Sequence, residues 1–185
     1  MEKPGPENAV SNLVNAGIYV IEPHVIEMIP GGRPYDFSRD LFPRLIEEGG
    51  RMYAYEVEGY WMDVGSPERY LDVNLKALAG EIPVRVDGRQ VGRGIWVGGD
   101  VEIGSATLIG PTYIGRGVEV GENSVLGPGA IVGREARIGR SVKIRESVLW
   151  PGAMVEENSE VMGSIVGGRT PKHSRVFKTL FFQEP

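Results

Sequence analysis

A six-residue period runs through the second half of the chain and limits the folds open to it. Aliphatic residues recur from Val97 onward in steps of six, with three steps of five. They are Val97, Ile103, Ile109, Ile114, Val120, Leu126, Val132, Ile138, Ile144, Leu149, Val155, Val161 and Val166. In each of the first eight repeats, glycine directly follows the aliphatic residue.

An α-helix does not produce this period. Six residues at about 100° each leave successive aliphatic side chains about 120° out of phase, so no apolar stripe forms. Short strands joined by bends do produce it, because alternate side chains of a strand share a face. Stacked coils of such strands bury one continuous apolar column, and we expect the glycines to permit the bends.

Composition restricts the classes of function. Acidic residues outnumber basic ones by 25 to 20, which gives a formal net charge of −5. That balance disfavours a nucleic-acid binder. No apolar run reaches the roughly 18 residues of a bilayer span, so we expect no membrane association. The absence of cysteine excludes disulfides and thiolate metal sites and fits a cytoplasmic protein.

The first half predicts strands and helices that make only a small core. Three segments rich in β-branched and aromatic residues are typical of strands. These are residues 13–21, 52–57 and 60–64. Asp36 predicts the cap of a helix over about 38–48, and Ser66 and Gly80 predict the ends of a second helix. A sheet of these strands would expose an edge, so we expect this half to be incomplete or to depend on a partner.

The repeats resemble those of a known β-helix family. Segments such as Ile103-Gly104-Ser105-Ala106-Thr107 and Val120-Gly121-Glu122-Asn123-Ser124 are similar to the hexapeptide repeat of left-handed parallel β-helices. In that family three hexads make one triangular turn, which implies about four turns here. The left hand is implied by the resemblance alone, since the general rule for parallel crossovers favours the right hand.

Motifs of the first half carry a second resemblance. They occur in order as Glu2-Lys3-Pro4, Asn15-Ala16-Gly17-Ile18-Tyr19, Asp40-Leu41-Phe42-Pro43 and Trp61-Met62-Asp63-Val64-Gly65-Ser66-Pro67. They resemble the carboxyl half of the catalytic domain of sugar-phosphate nucleotidyltransferases. Two further motifs, Leu149-Trp150-Pro151-Gly152 and Asn74-Leu75-Lys76-Ala77-Leu78, are most similar to mannose-1-phosphate guanylyltransferases.

Together the two resemblances imply a domain plan. Residues 1–80 are expected to form a partial α/β nucleotidyltransferase domain that binds the sugar. Residues 81–94 are expected to be a linker, 95–168 a mainly-β left-handed β-helix, and 169–185 a tail that caps the last coil. Apolar residues in that tail, around Leu180, also fit a subunit contact.

The nucleotidyltransferase resemblance implies roles for five residues. Glu2 and Asn15 would hydrogen-bond the sugar, Lys3 would contact its phosphate, and Gly17 would let the backbone approach the ligand. Asp63 would be one of two oxygen ligands for Mg²⁺, at the end of a strand. The reaction joins a sugar-1-phosphate to a nucleoside triphosphate and needs positioning and charge neutralisation more than covalent catalysis.

Two hallmarks of that family do not occur in the sequence. These are the glycine-rich signature that holds the triphosphate and the aspartate that supplies the other metal ligand. We therefore expect a truncated chain with no complete catalytic set, which alone neither binds nor transfers nucleotide. In the complete enzyme we expect a sugar-1-phosphate and a nucleoside triphosphate to bind. We also expect a homo-oligomer, or association with nucleotidyltransferase subunits.

Two alternatives remain open from the sequence. The first is a non-catalytic β-helix scaffold or regulatory subunit. The second is a hexapeptide acyltransferase or metal hydratase, and such enzymes usually place histidine between coils. The only histidines of the sequence are His24 and His173, and neither lies in the predicted repeat. This makes the second alternative the weaker one.

Overall fold

The chain divides into two compact units. The computed structural model describes residues 11–182, and the boundary between the units falls between Trp61 and Met62. We call the part before this boundary the first unit and the part after it the second unit. No helix among the described residues is both long and apolar enough to cross a membrane.

The first unit contains short helices. Helix α1 spans Pro23–Ile26, and a π-helical turn at Phe37–Leu41 leads directly into helix α2 at Phe42–Glu47. The predicted cap is confirmed, because the Asp36 carboxylate accepts hydrogen bonds from the backbone N–H groups of Ser38 and Arg39, each at 2.8 Å. Its two oxygen lone pairs satisfy donors that the first helical turn leaves free.

The strands predicted for this half do not form. Residues 13–21, 52–57 and 60–64 belong to no strand, and the described part of the first unit contains no β-ladder. Several of their apolar side chains are exposed, including Val20, Tyr53 and Tyr55. The composition of a segment can suit a strand, but the strand exists only where another backbone pairs with it. The expected partial α/β domain is thus a short helical region here.

The second unit begins with the longest helix of the described residues. Helix α3 spans Pro67–Ala79. As predicted, Ser66 caps its start by accepting a hydrogen bond from the Arg69 N–H at 3.3 Å. Gly80 ends it in the left-handed conformation, with φ of 81°. The structure groups α3 with the β-helix, whereas the sequence assigned it to the first domain.

The rest of the second unit is a parallel β-solenoid. Its strands are β1 Arg89–Gly92, β2 Ile95–Val97, β3 Glu102–Ile103, β4 Thr107–Leu108, β5 Thr112–Ile114, β6 Glu119–Val120, β7 Val125–Leu126, β8 Ala130–Val132, β9 Arg137–Ile138, β10 Lys143–Arg145, β11 Ser147–Leu149, β12 Met154–Val155, β13 Glu160–Met162, β14 Ile165–Val166, β15 Arg169–Thr170, β16 Arg175–Phe177 and β17 Leu180–Phe181. They form three sheets of seven, five and five strands. Equivalent residues stack in register, as Ile114 does on Val132.

The solenoid has about five turns, and the expected four is corrected. The coils continue past Gly168, since Thr170 pairs in register with Val155 and Phe181 with Val166. The residues predicted as a capping tail therefore build the last coil. The aliphatic signal was lost there because threonine and phenylalanine occupy the inward positions. The predicted linker is also partly ordered, since β1 pairs antiparallel with β2.

The predicted aliphatic column is the core of the solenoid. Ile114, Leu126, Val132 and Ile144 are completely buried, and the column continues to Val176 in the last coil. Ile103, in the first coil, is 37% exposed, because that coil has a neighbour on one side only. Burial of one large aliphatic side chain stabilises the fold by about 1.5–3 kcal/mol. The column is thus the main source of stability in this unit.

The repeating glycines are required by the close approach of successive coils. A Cβ atom on Gly133 would lie 2.5 Å from the backbone nitrogen of Pro151, in the next coil. A Cβ atom on Gly115 would lie 2.6 Å from the backbone nitrogen of Arg134. Neither glycine has a positive φ, which corrects our expectation that glycine is needed for the bend itself. The left-handed bends fall two residues further on, at positions that include Asp100, Asn123, Glu135 and Asn158.

Buried hydroxyls occupy the three steps of five residues. Thr112, Ser147 and Ser164 stand at the same point of these shortened repeats, and each is at most 1% exposed. Ser147 donates its hydroxyl to the Arg145 carbonyl at 2.6 Å and accepts from the backbone N–H of Ser164 at 3.1 Å. The hydroxyl thereby forms the hydrogen bonds of a carbonyl and a buried N–H group in a repeat that has five residues where the others have six.

Replacement of one of these hydroxyls tests this role. Ser147→Ala leaves the buried N–H of Ser164 without its acceptor, so we expect the free energy of unfolding to fall by about 1–3 kcal/mol in urea denaturation. Ser105→Ala is the matched control, because Ser105 is exposed in the first coil. Equal effects of the two substitutions would contradict a structural role for the hydroxyl.

Helix α3 covers part of the outer face of the seven-stranded sheet. It contacts β8 and β11. Val148 points away from the interior of the coil, between the inward-facing Ser147 and Leu149, and is nevertheless only 3% exposed. The ring of Tyr70, on α3, meets the edge of Trp150 with centroids 6.4 Å apart. The helix therefore removes an apolar sheet face from solvent and belongs to the solenoid in packing, although the sequence assigned it to the first domain.

Candidate functional site

The structure brings two of the predicted sugar-binding residues together. Glu2 and Lys3 lie outside the described residues. The side-chain Oδ1 of Asn15 accepts a hydrogen bond from the backbone N–H of Gly17 at 2.9 Å. Gly17 adopts a φ of 72°, a conformation that glycine tolerates without strain. The pair makes a tight Asx-type turn that holds the asparagine amide in one place.

Tyr19 is a member of this cluster that the sequence did not single out. Its hydroxyl oxygen accepts a hydrogen bond from Nδ2 of Asn15 at 2.7 Å. The sequence placed Tyr19 in a buried strand, whereas the structure leaves it 36% exposed. The spacing Asn-x-Gly-x-Tyr was a usable signal, because a turn at the glycine returns the tyrosine to the asparagine.

Two phenylalanines hold the tyrosine ring. Tyr19 meets Phe37 and Phe42 edge-on, with centroid distances of 5.4 and 5.1 Å. The two phenylalanine rings are stacked on each other at 5.9 Å. Edge-to-face contacts of this kind add about 0.5–1.5 kcal/mol beyond burial. The helical turn that Asp36 caps therefore positions the ring on which Asn15 depends.

Asp63 lies in the second unit, just before the start of helix α3. Its backbone carbonyl accepts a hydrogen bond from the guanidinium of Arg69 at 3.3 Å. Its carboxylate lies beside Gly65, where an added Cβ would be 3.4 Å from Oδ2. The expectation that Asp63 ends a strand is wrong, because residues 60–64 pair with no other strand.

A magnesium site needs more ligands than Asp63 provides. Mg²⁺ requires near-octahedral oxygen coordination, usually with one or two carboxylates. Among residues 11–182, no three His, Cys, Asp or Glu side chains are grouped so that they could hold a metal ion. The described residues do not by themselves fit a complete magnesium site.

The histidines do not assemble a catalytic group on the solenoid. His24 belongs to α1 of the first unit. His173 lies at a bend of the last coil, with φ of 60°, which corrects its predicted place outside the β-helix. Enzymes of the hexapeptide class that use metal need several histidines at one interface. A single exposed histidine at a bend does not supply that chemistry.

Ion pairs link three successive coils on one face of the solenoid. The carboxylate of Glu157 accepts hydrogen bonds from Lys172 at 2.8 Å and from Arg140 at 3.3 Å. The hydrogen bond from Lys172, with that from Arg140, lowers the pKa of Glu157. Beside it, the hydrogen bond from Arg169 lowers the pKa of Glu156. Each of these carboxylates is opposed by a cation, so the cluster favours a role in coil stacking.

The lowered pKa of Glu157 predicts a pH-dependent contribution to stability. A carboxyl whose pKa is lowered on folding stabilises the folded state above its ordinary pKa, and this effect disappears as pH falls through the lowered value. We expect Glu157→Gln to reduce Tm by a few degrees at neutral pH, and we expect this difference from the unaltered chain to shrink as the pH is lowered below the ordinary pKa of a glutamate. Thermal unfolding followed by circular dichroism measures both.

The matched control for this prediction is Glu102→Gln. Glu102 is exposed on the same side of the solenoid and forms no ion pair among the described residues. Its substitution should change Tm less than Glu157→Gln at neutral pH. A Glu157→Gln effect that does not shrink as the pH is lowered would show that the charge is not its cause.

Known protein families match both regions of the chain. Residues 1–80 match the nucleotidyl transferase family, and residues 108–176 match the GMPPB C-terminal domain family. These matches, with the solenoid fold, confirm the resemblance to a nucleotidyltransferase that carries a β-helix.

The relatives that the chain resembles are named for two different activities. The chain is 38% identical over 117 residues to the UTP–glucose-1-phosphate uridylyltransferase of Synechocystis sp., covering 62% of this chain and 30% of that protein. It is 33% identical over 111 residues to the mannose-1-phosphate guanylyltransferase of Mycobacterium tuberculosis, covering 60% and 31%. It is 37% identical over 84 residues to the mannose-1-phosphate guanyltransferase of Saccharomyces cerevisiae, covering 44% and 23%. The chain thus spans less than a third of the length of each.

Proposed function

We propose that this chain supplies the sugar-phosphate-binding part and the β-helix of a nucleotidyltransferase, the family whose members it matches along both of its regions. The complete enzyme would make a nucleotide sugar from a nucleoside triphosphate and a sugar-1-phosphate. The observation that carries the proposal is the order of the two matches, residues 1–80 and then 108–176, on a chain whose second unit is a solenoid.

Each predicted site residue has a role in this reaction. The sugar-phosphate oxygen attacks the α-phosphorus in line and pyrophosphate leaves, so the protein must orient the sugar and offset negative charge. Lys3 would bind the sugar phosphate, and Glu2 and Asn15 would bind sugar hydroxyls. The turn at Gly17 keeps the amide of Asn15 at an exposed position, where a ligand reaches it. Asp63 would contribute one oxygen to Mg²⁺, which polarises the phosphates when bound.

The product we propose is GDP-mannose. Two of the relatives named above are guanylyl- or guanyltransferases for mannose-1-phosphate. The motif Leu149-Trp150-Pro151-Gly152 in the solenoid supports the same choice. The uridylyltransferase relative makes UDP-glucose the competing product, so the experiment below includes both pairs of substrates.

The chain would be inactive by itself. Its 185 residues contain no glycine-rich segment of the kind that holds a triphosphate. The segment 51–57 carries exposed side chains, with Tyr53 at 85% and Tyr55 at 89%. Such apolar surface on an unpaired segment supports docking onto another part of a nucleotidyltransferase. We place the enzyme in the cytoplasm, which the cysteine-free sequence fits.

Assembly with further subunits is part of the proposal. Trp150 is 41% exposed and Phe182 is 50% exposed, and their rings meet at 4.8 Å. An aromatic patch of this kind suits a subunit contact, in a homo-oligomer or with other nucleotidyltransferase subunits.

A non-catalytic scaffold or regulatory subunit is the second candidate function. One observation favours it: the solenoid has its own buried column and its own backbone ladder, independent of any residue of the first unit. It would then bind nucleotidyltransferase subunits and change their activity without contributing a substrate-binding residue.

Turnover measurements decide between the two functions. We expect no pyrophosphate release from the purified chain with Mg²⁺, GTP and mannose-1-phosphate, or with UTP and glucose-1-phosphate. Fusion to the part of the Mycobacterium tuberculosis relative that this chain does not match should produce release. Turnover by the chain alone would contradict our account of its incompleteness.

The fusion also tests the site residues. Asn15→Ala should lower kcat/KM for the sugar phosphate at least tenfold, because the proposed hydrogen bonds of its amide to the sugar are lost. Asn12→Ala is the matched control, since Asn12 is an exposed asparagine in the same segment. A folded fusion whose activity depends on neither residue would support the scaffold instead.

A further inference from the structure

We propose that Tyr19 is a positioning residue that fixes the side-chain amide of Asn15 so that it presents one donor and one acceptor to a sugar hydroxyl. This rests on the sugar-binding role proposed above for Asn15. Tyr19 would set the direction of the amide, and that direction would determine the type of group that the amide recognises.

The orientation of the Asn15 amide follows from its two partners. The backbone N–H of Gly17 is a donor only, so the atom 2.9 Å away must be the carbonyl oxygen Oδ1. The other end of the amide, Nδ2, therefore faces the hydroxyl oxygen of Tyr19 at 2.7 Å. A rotation of the amide by 180° would oppose two donors at Gly17. The network thus selects one of the two orientations.

The tyrosine hydroxyl is itself held in place by its ring. The ring lies edge-on to Phe37 and Phe42, which are 5.9 Å apart and stacked. Phe37 opens the helical turn that Asp36 caps through two hydrogen bonds. The hydroxyl oxygen is therefore fixed by packing that is separate from the turn at Gly17.

The Asn15 amide retains one hydrogen-bond donor and one acceptor position for a ligand. A primary amide has two N–H donors and two acceptor lone pairs, and the network uses one of each. The remaining N–H and the remaining lone pair lie on an exposed side chain. A sugar hydroxyl both donates and accepts, so it matches this pair, as do two neighbouring hydroxyls of a pyranose ring. A phosphate oxygen only accepts hydrogen bonds, so it would pair with the free N–H of the amide and leave the lone pair unused.

Removal of one hydroxyl group tests the inference in the fusion protein described above. Tyr19→Phe keeps the ring and its packing but removes the acceptor for Nδ2 of Asn15. We expect the Kd for mannose-1-phosphate, from titration followed by NMR, to rise about three- to tenfold. The two side-chain amide proton signals of Asn15 should move and exchange faster with water, whereas Tm should stay the same. Tyr53→Phe is the matched control, because Tyr53 is 85% exposed in the same unit.

Asn15→Ala separates failure of this inference from failure of the proposed function. If Asn15→Ala weakens mannose-1-phosphate binding and Tyr19→Phe does not, the positioning role is overturned while the sugar site stands. If the unaltered fusion does not bind mannose-1-phosphate, or its Asn15→Ala variant binds it equally well, the sugar site is wrong and the positioning role fails with it. A rise in Kd for Tyr53→Phe equal to that for Tyr19→Phe also overturns the inference.

Discussion

The close approach of successive coils is the constraint on which the second unit depends. Each coil hydrogen-bonds to the next through its backbone, as Gly115 N–H does to the Val132 carbonyl at 2.8 Å. At this spacing a Cβ on Gly133 would collide with the backbone of the next coil. The same stacking buries the aliphatic column, places the hydroxyl of Ser147 at a shortened bend and aligns Glu157 with cations of two neighbouring coils.

The first unit lacks any comparable constraint. Its described residues contain short helices and one aromatic cluster, and its strand-like segments pair with nothing. Apolar side chains that would fill a core elsewhere are exposed there, among them Val20 and Tyr55. The contrast between the two units is the physical basis for our view of the chain. On the proposal made above, a solenoid with its own buried column follows a region that docks onto another part of a nucleotidyltransferase.

The parts of the structure that local pattern determines were predictable, and those that depend on pairing were not. The column at Ile114 and Val132 follows from the period, and α3 follows from its caps at Ser66 and Gly80. The fifth coil was missed because Thr170 and Phe181 replace the aliphatic signal. The strand at 13–21 was wrong because composition does not supply a partner strand. In the site, Asn15 and Gly17 meet through a local turn, whereas Tyr19 depends on rings packed from residues 37 and 42.

Hydrogen exchange of the backbone amides tests this division most directly. In the chain alone, the amides of Tyr53, Tyr55 and Val57 should exchange within seconds, while those of Gly133 and Gly139 should be protected for hours by the inter-coil ladder. Fusion to the part of the Mycobacterium tuberculosis relative that this chain does not match should protect the first group and leave the second unchanged. Protection of Tyr53, Tyr55 and Val57 in the chain alone would show that the first unit is already complete, and would contradict the account.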